Sequence, residues 1–134
     1  MKREIVLVPT TERDVPFVVA LLEENGLPSS DIPEKWGSLF LARSDGSVVG
    51  TGGVEILGEY GLLRSLAVIQ GERNRGYGRA VVRGLTHHAR QSGVRELYLL
   101  TTTAAVFFEG LGFERVPREN APLPITQTSE FCGL

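Results

Sequence analysis

The order of apolar and helical segments predicts an α+β domain built around one mixed sheet. Three observations carry this reading. Strand-like runs and helical patterns follow one another as β-α-(α)-β-β-β-α-β-α-β. Ser44-Asp45-Gly46-Ser47 is a two-residue hairpin signal of the Asp-Gly type, which makes the flanking strands antiparallel. The apolar stretch Leu66-Ala67-Val68 leads through a loop rich in arginine and glycine into an amphipathic helix, the pattern of a helical crossover.

Each element has its own warrant. Residues 5–8 form an apolar strand closed by Pro9. Residues 10–14 supply helix-capping side chains, and Pro16 suits a first turn. Phe17, Val18, Leu21 and Leu22 recur at helical spacing until Asn25-Gly26 stops the helix. Residues 27–36, with three serine or aspartate side chains and two prolines, read as a loop with room for one helical turn. Strands are expected over 39–42 and 48–57. Gly52-Gly53 inside the second predicts either a bulge or a backbone that something approaches closely. Residues 58–61 turn the chain into a strand over 62–69.

The following helix is expected from about Gly78 to Ser92, with Val81, Val82, Leu85 and Ala89 inward and Gly93 as its cap. Residues 97–100 are wholly apolar, as in a strand buried on both faces. Thr102 or Thr103 can cap a short helix through Glu109, and residues 113–116 read as a last strand. Pro117, Pro122 and Pro124 impose a loop before the tail 125–131. The whole of 1–134 is expected to be a single domain.

The totals bound the function. With 42% hydrophobic and 22% charged residues, the composition is that of a globular protein. A net charge of −2 argues against general nucleic-acid binding, so the arginines of the loop are a placed feature. No apolar run reaches the roughly 20 residues that span a bilayer. A single cysteine, Cys132, excludes a disulfide framework and a multi-cysteine metal site. A cytoplasmic location is the default, with no metal expected. His87 and His88 are adjacent on a helix and cannot point at one site.

The chemistry gathers at Arg73-Asn74-Arg75-Gly76-Tyr77-Gly78-Arg79. Glycines allow main-chain N–H groups close to an anion, the helix N-terminus adds partial positive charge, and the arginines add full ones. This pattern points to a diphosphate; the bland alternative is a tight turn with solvated arginines. Arg64 stands mid-strand among leucines, where a lone charge is costly. Strict alternation places it on one face with Leu62, Leu66 and Val68. Its guanidinium either clasps a substrate carboxylate or pairs internally with Glu55 or Glu59.

Arg73-x-x-Gly76-x-Gly78 after Leu66-Ala67-Val68 resembles the acetyl-CoA signature of the GNAT superfamily of N-acetyltransferases, and Phe107-Phe108-Glu109-Gly110-Leu111-Gly112-Phe113 resembles its closing helix and strand. Arg64-Ser65-Leu66-Ala67-Val68, Leu99-Leu100-Thr101-Thr102-Thr103 and Phe107-Phe108 are similar to two subgroups. One is the acetyltransferase domain of N-acetylglutamate synthases; the other is the small acetyltransferases associated with arsenic resistance, which the short length and the tail with Thr128, Glu130, Phe131 and Cys132 favour.

The resemblance implies a GNAT fold: a mostly antiparallel central sheet splayed at two parallel strands. It implies acetyl-CoA as cosubstrate and transfer of acetyl to the primary amine of a small amino-acid-like acceptor, an arsenic-containing or phosphinic amino acid among them, by direct attack in a ternary complex. The amide of Leu66 then bonds the acetyl oxygen and acts as an oxyanion donor. Ala67, Val68, Thr102 and Phe108 line the cofactor, and the backbone of Arg73, Asn74, Arg75, Gly76, Tyr77, Gly78 and Arg79 holds the diphosphate. Arg64, Ser65 and Thr101 face the acceptor.

Many GNAT enzymes carry a tyrosine at the position of Phe108, where this chain has no proton donor. Glu55 on the neighbouring strand is the candidate base, against the alternative of an outward, solvated glutamate. Trp36 and Phe40 fall where the acceptor wall begins, and core packing explains them equally well. Pairing into a homodimer stays open. A non-catalytic acyl-CoA sensor and a protein acetyltransferase are the rival readings.

Overall fold

The computed structural model describes residues 4–73 and 75–133. Five strands form one sheet in sequence order: β1 (Val6–Pro9), β2 (Leu39–Ser44), β3 (Ser47–Leu57), β4 (Tyr60–Val68) and β5 (Glu96–Leu99). Neighbours are antiparallel except β4 and β5, which run parallel across the crossover. The predicted class therefore holds. Asp45 and Gly46, at φ +52° and +80°, make the tight β2–β3 turn. Both left-handed residues match the strand twist, as an Asp-Gly hairpin requires.

Helices cover both faces. On one lie α1 (Val15–Glu24) and α2 (Ile32–Lys35), where Val18, Leu21, Leu22 and Ile32 pack on Leu39, Leu41 and Ala67. A 3₁₀ turn over Glu12–Asp14, capped where Asp14 accepts the Thr11 amide at 2.8 Å, leads into α1, which stops at Gly26, φ +67°. On the other face α3 (Tyr77–Gln91) turns Val81, Val82 and Leu85 onto Ala42, Val49 and Leu63. The inward positions are those its helical spacing predicts. Val81 and Leu85 are fully buried, which stabilises the fold by about 1.5–3 kcal/mol each.

Gly52 and Gly53 serve close approach. A Cβ on Gly52 would lie 2.9 Å from both Val81 Cγ1 and Leu85 Cδ1, and one on Gly53 would lie 2.5 Å from the Ser38 carbonyl oxygen. The first lets α3 sit down on the sheet; the second lets the chain enter β2. Because a backbone oxygen cannot rotate away, Gly53→Ala is expected to destabilise by about 1–3 kcal/mol, read as a lower urea midpoint at unchanged slope. A midpoint equal to wild type would show that the chain entering β2 yields freely.

Two expectations about the end of the chain are corrected. Residues 113–116 are not a strand; they leave the sheet after α4 (Ala105–Glu109) as irregular chain. β5 is consequently an edge strand and only half-buried, not covered on both faces. The tail folds back as two short helices, α5 (Leu123–Thr126) and α6 (Ser129–Gly133). Ile125, fully buried, anchors it. Thr128 Oγ1 donates to the Ile125 carbonyl at 2.8 Å and accepts the Phe131 amide at 3.3 Å. Arg118 closes the loop, its guanidinium 4.7 Å from the Phe131 ring centroid and donating to the Phe131 carbonyl at 2.8 Å.

Candidate active site

The site begins with an irregularity in β4. Gly53 faces Arg64 and Thr51 faces Ala67, so Gly52 alone opposes Ser65 and Leu66. One residue against two is a β-bulge, and Ser65 takes the extra step at φ +58°. The bulge reverses the alternation that sequence suggests. Leu63, Leu66 and Val68 pack toward α3, whereas Arg64 and Ala67 turn to the α1–α2 side. Arg64 therefore does not share a face with Leu66 and Val68. β4 pairs with β5 only from Tyr60–Glu96 to Leu63–Leu99, and the two part immediately before the bulge. Leu66 falls in the fork, sharing Gly52 with Ser65 on one side and facing no paired residue of β5 on the other.

At the far end of β4 the loop meets α3. Gly76 is its N-cap at φ +81°, a conformation glycine adopts without strain. The first closing bond is Ala80 N–H to the Gly76 carbonyl at 3.1 Å, and ahead of it the amides of Gly78 and Arg79 open the helix without an intrahelical acceptor among the described residues. Arg73, Arg75 and Arg79 are exposed around them. Arg73 donates to Asn25 Oδ1 at 2.5 Å and Arg75 pairs with Glu72 at 3.2 Å. Asn74 lies outside the described residues. Free amides at the start of a long helix beside three surface arginines fit a diphosphate.

Between fork and tail lies a cavity of 150 Å³ whose walls include Leu27, Arg64, Leu66, Thr101, Phe108 and Glu130. Behind it is a group of buried charges. The Arg64 side chain is fully buried and makes four hydrogen bonds. Nη2 and Nη1 donate to Asp31 at 2.5 and 2.7 Å, Nη1 also to Glu55 at 2.9 Å, and Nε to Ser65 Oγ at 3.1 Å. Burial works against the guanidinium's charge, but Asp31, Glu130 and Glu55 outweigh it and hold it ionised. Burial also opposes the Asp31 carboxylate; hydrogen bonds from Arg64 and from Ser129 Oγ (2.6 Å) overcome it and keep Asp31 below the usual carboxylate range.

Arg64 makes the internal pair with Glu55 that the sequence offered as one of its two readings, and both side chains are engaged. Arg64 already holds Asp31 in its fork, so a substrate carboxylate reaches it only by displacing Asp31. Glu55 is not a free base: Oε2 takes Arg64 and Oε1 takes Lys35 at 3.3 Å, with the residue 5% exposed. It is also not the outward, solvated glutamate of the alternative reading. Glu59 is exposed and takes no part.

A sequence profile of the acetyltransferase (GNAT) family matches residues 11–113. The chain belongs to the GNAT family. It is 30% identical over 105 residues to BSU40680 of Bacillus subtilis (strain 168), an inferred acetyltransferase, covering 73% of this chain and 71% of that one. Identity is 29% over 103 residues with the uncharacterized N-acetyltransferase CT2212 of Chlorobaculum tepidum, covering 76% of this chain and 66% of that one.

Among solved structures, N-acetylglutamate synthase from Neisseria gonorrhoeae, complexed with coenzyme A and N-acetyl-glutamate, superposes with a TM-score of 0.80. Identity is 22%, over 92% of this chain but only 31% of the synthase. Rv2747 from Mycobacterium tuberculosis, in complex with CoA and NLQ, gives 0.75 at 23% identity, over 96% and 82% of the two chains. These likenesses carry the GNAT fold. The protein is an N-acetyltransferase of this family.

In this GNAT domain Phe108 is 8% exposed and stacks edge-on with Phe107 and Phe113, at centroid distances of 5.0 and 5.7 Å. Its ring closes one side of the fork but has no proton to give. Thr101, not Thr102 or Thr103, bonds the start of α4, its Oγ1 accepting the Ala104 amide at 2.9 Å. Thr102 is exposed and also lines the cavity. His88 stacks edge-on with Phe40 at 5.0 Å, and His87 is exposed. Trp36 is half-buried, its carbonyl taking the Thr10 hydroxyl. The exposed Cys132 thiol lies 3.4 Å from the Thr126 carbonyl, and no cluster of metal-binding side chains exists among the described residues. None of the described helices is long and apolar enough to cross a membrane.

Sequence reasoning missed Asp31 and the placement of Glu130. Asp31 lies 33 residues before Arg64 in a loop, and no spacing rule joins them. The available signal was Arg64 itself, because a charge buried between leucines demands carboxylates.

Proposed function

We propose that this GNAT protein transfers the acetyl group of acetyl-CoA to the primary amine of a small, amino-acid-like acceptor. The carrying observation is the fork at the β4 bulge. Leu66 lines a small cavity there, beyond the point where β5 leaves β4, and the start of α3 follows the other end of the same strand. The Leu66 N–H bonds the acetyl oxygen and strengthens as negative charge develops there, the role of an oxyanion donor. The backbones of Ala67 and Val68 pair with the pantetheine arm. The amides from Tyr77 to Arg79, with the arginines around them, hold the diphosphate. Thr102 and Phe108 close the other side of the fork.

A small acceptor suits the enclosure, since the segment 26–28 and the tail both wall the cavity. That argues against an extended protein substrate. The synthase named for N-acetyl-glutamate supports an amino-acid-like acceptor by its fold likeness over 92% of this chain. Arg64 is assigned to holding the cavity's charge, and Ser65 and Thr101 to its walls. The reaction is placed in the cytoplasm, with acetyl-CoA as its cosubstrate.

Thiol release from acetyl-CoA tests this reading, across amino acids, their phosphinic and arsenic-containing analogues, and simple amines. Release above background with at least one acceptor is expected. Binding of acetyl-CoA with no release for any amine would mark a binding module and sink the proposed transfer.

A further inference from the structure

Glu130 is the carboxylate that the described walls of the acceptor cavity present, and the transfer mechanism above does not use it. It is 8% exposed, on the tail helix α6. It makes no hydrogen bond or ion pair among the described residues, unlike every other carboxylate near it. Asp31 is spent on Arg64 and Ser129; Glu55 is spent on Arg64 and Lys35. We propose that Glu130 is the general base that takes the proton from the acceptor's ammonium group.

The charges around it explain how a carboxylate can do this. Arg64 on β4, Asp31 on the loop before α2 and Glu55 on β3 face it, and Lys35 on α2 compensates Glu55. Two cations stand against three carboxylates, so the unpaired one holds its proton most readily. Burial raises the Glu130 carboxyl first, Arg64 pulls it down, and Asp31 and Glu55 push it up again, to about 7. A base that titrates near the working pH is basic enough to accept an amine proton and acidic enough to pass it on.

The proposal rests on the acetyl-transfer reading. Glu130 Oε takes one proton from the ammonium, freeing the nitrogen lone pair. That pair forms the C–N bond at the thioester carbonyl while Leu66 N–H holds the oxygen. The C–S bond then breaks with its electron pair on sulfur. The second amine proton passes to that sulfur, and Glu130 gives its proton to water. The products are the amide, the CoA thiol and one released proton. Phe108 needs no hydroxyl in this scheme, since the nitrogen itself supplies the thiol proton.

The test is Glu130→Gln, which keeps size and removes the charge. With the best acceptor of the thiol-release screen, kcat/KM of the wild type should rise with pH through about 7. The variant should lose roughly 10²–10⁴-fold and the rising limb, with KM for acetyl-CoA near wild type. Glu130→Asp should keep the limb at a reduced rate. A second readout needs no acceptor. The raised carboxyl makes the native state bind more protons than the unfolded chain between about 4.5 and about 7, so wild-type stability falls as pH rises across that window. Relative to wild type, Glu130→Gln should raise Tm more at about pH 8 than at about pH 5.

Wild-type turnover with the variant within about threefold of it, or a persisting limb, overturns the base alone. Equal Tm changes at both pH values overturn it too. A wild type that binds acetyl-CoA yet turns over no amine overturns the base together with the transfer reading, so the two failures are distinguishable.

Discussion

Replacing Arg64 by methionine is expected to lower the free energy of unfolding by about 3–5 kcal/mol near neutral pH. The substitution leaves Asp31, Glu55 and Glu130 facing one another around a buried site from which the fully buried guanidinium has gone. Removing one partner of a buried ion pair is costly because the other stays charged and desolvated. The pH dependence separates this cause from mere loss of packing. Arg64 and Ser129 hold the Asp31 carboxyl below its ordinary value of 3.8, so its contribution is present above that value and disappears as pH falls through the folded one. The penalty of Arg64→Met should accordingly shrink in acid, as urea midpoints at about pH 7 and about pH 3 will show. A penalty of the same size at both would mean that volume, not charge, is what Arg64 contributes. Where activity survives, the rising limb of kcat/KM should move to higher pH, because Arg64 is the cation that pulls Glu130 down.

Replacing the Leu66 amide by an ester, through the α-hydroxy analogue of leucine, is expected to lower kcat by about 10²–10³-fold. Elsewhere in a strand this change also breaks a ladder bond and destabilises the sheet. At Leu66 the bulge makes two residues share Gly52 on β3, and β5 has already parted from β4. The stability cost should therefore be small against the catalytic one, and KM for acetyl-CoA should move little. The proposed oxyanion role predicts this split between kcat and Tm. A lost Tm with kcat near wild type would make the Leu66 amide structural.

Periodicity made most of the scaffold legible. Phe17 to Leu22, Val81 to Ala89 and the Asp45-Gly46 turn each carry a local rule, and the structure places each element within a few residues of where that rule puts it. Residues 113–116 show where the rule stops. Phe113-Glu114-Arg115-Val116 has strand-like composition, yet pairing requires a free edge presented in register, and here the chain departs from β5 after Gly112 at φ +98°. Arg64 is a sharper case. Its burial among leucines was readable, and so was its need for a counter-charge, with Glu55 among the two named. Its facing was not, because one extra residue at Ser65–Leu66 shifts every later side chain of β4 to the opposite face.

By itself, the sequence determined the element order, the arginine–glycine loop opening α3, and the absence of a hydroxyl at Phe108. Each of these is a local property, set by residues within one or two turns of each other. Only the tertiary structure decided what surrounds Arg64 and which carboxylate is left over. Asp31, Glu55 and Glu130 come from a loop, a strand and the tail, and their protonation depends on distances and burial that no spacing encodes. Electrostatic energy belongs to the assembled site: a carboxylate is a partner or a free base according to what already occupies the cation beside it.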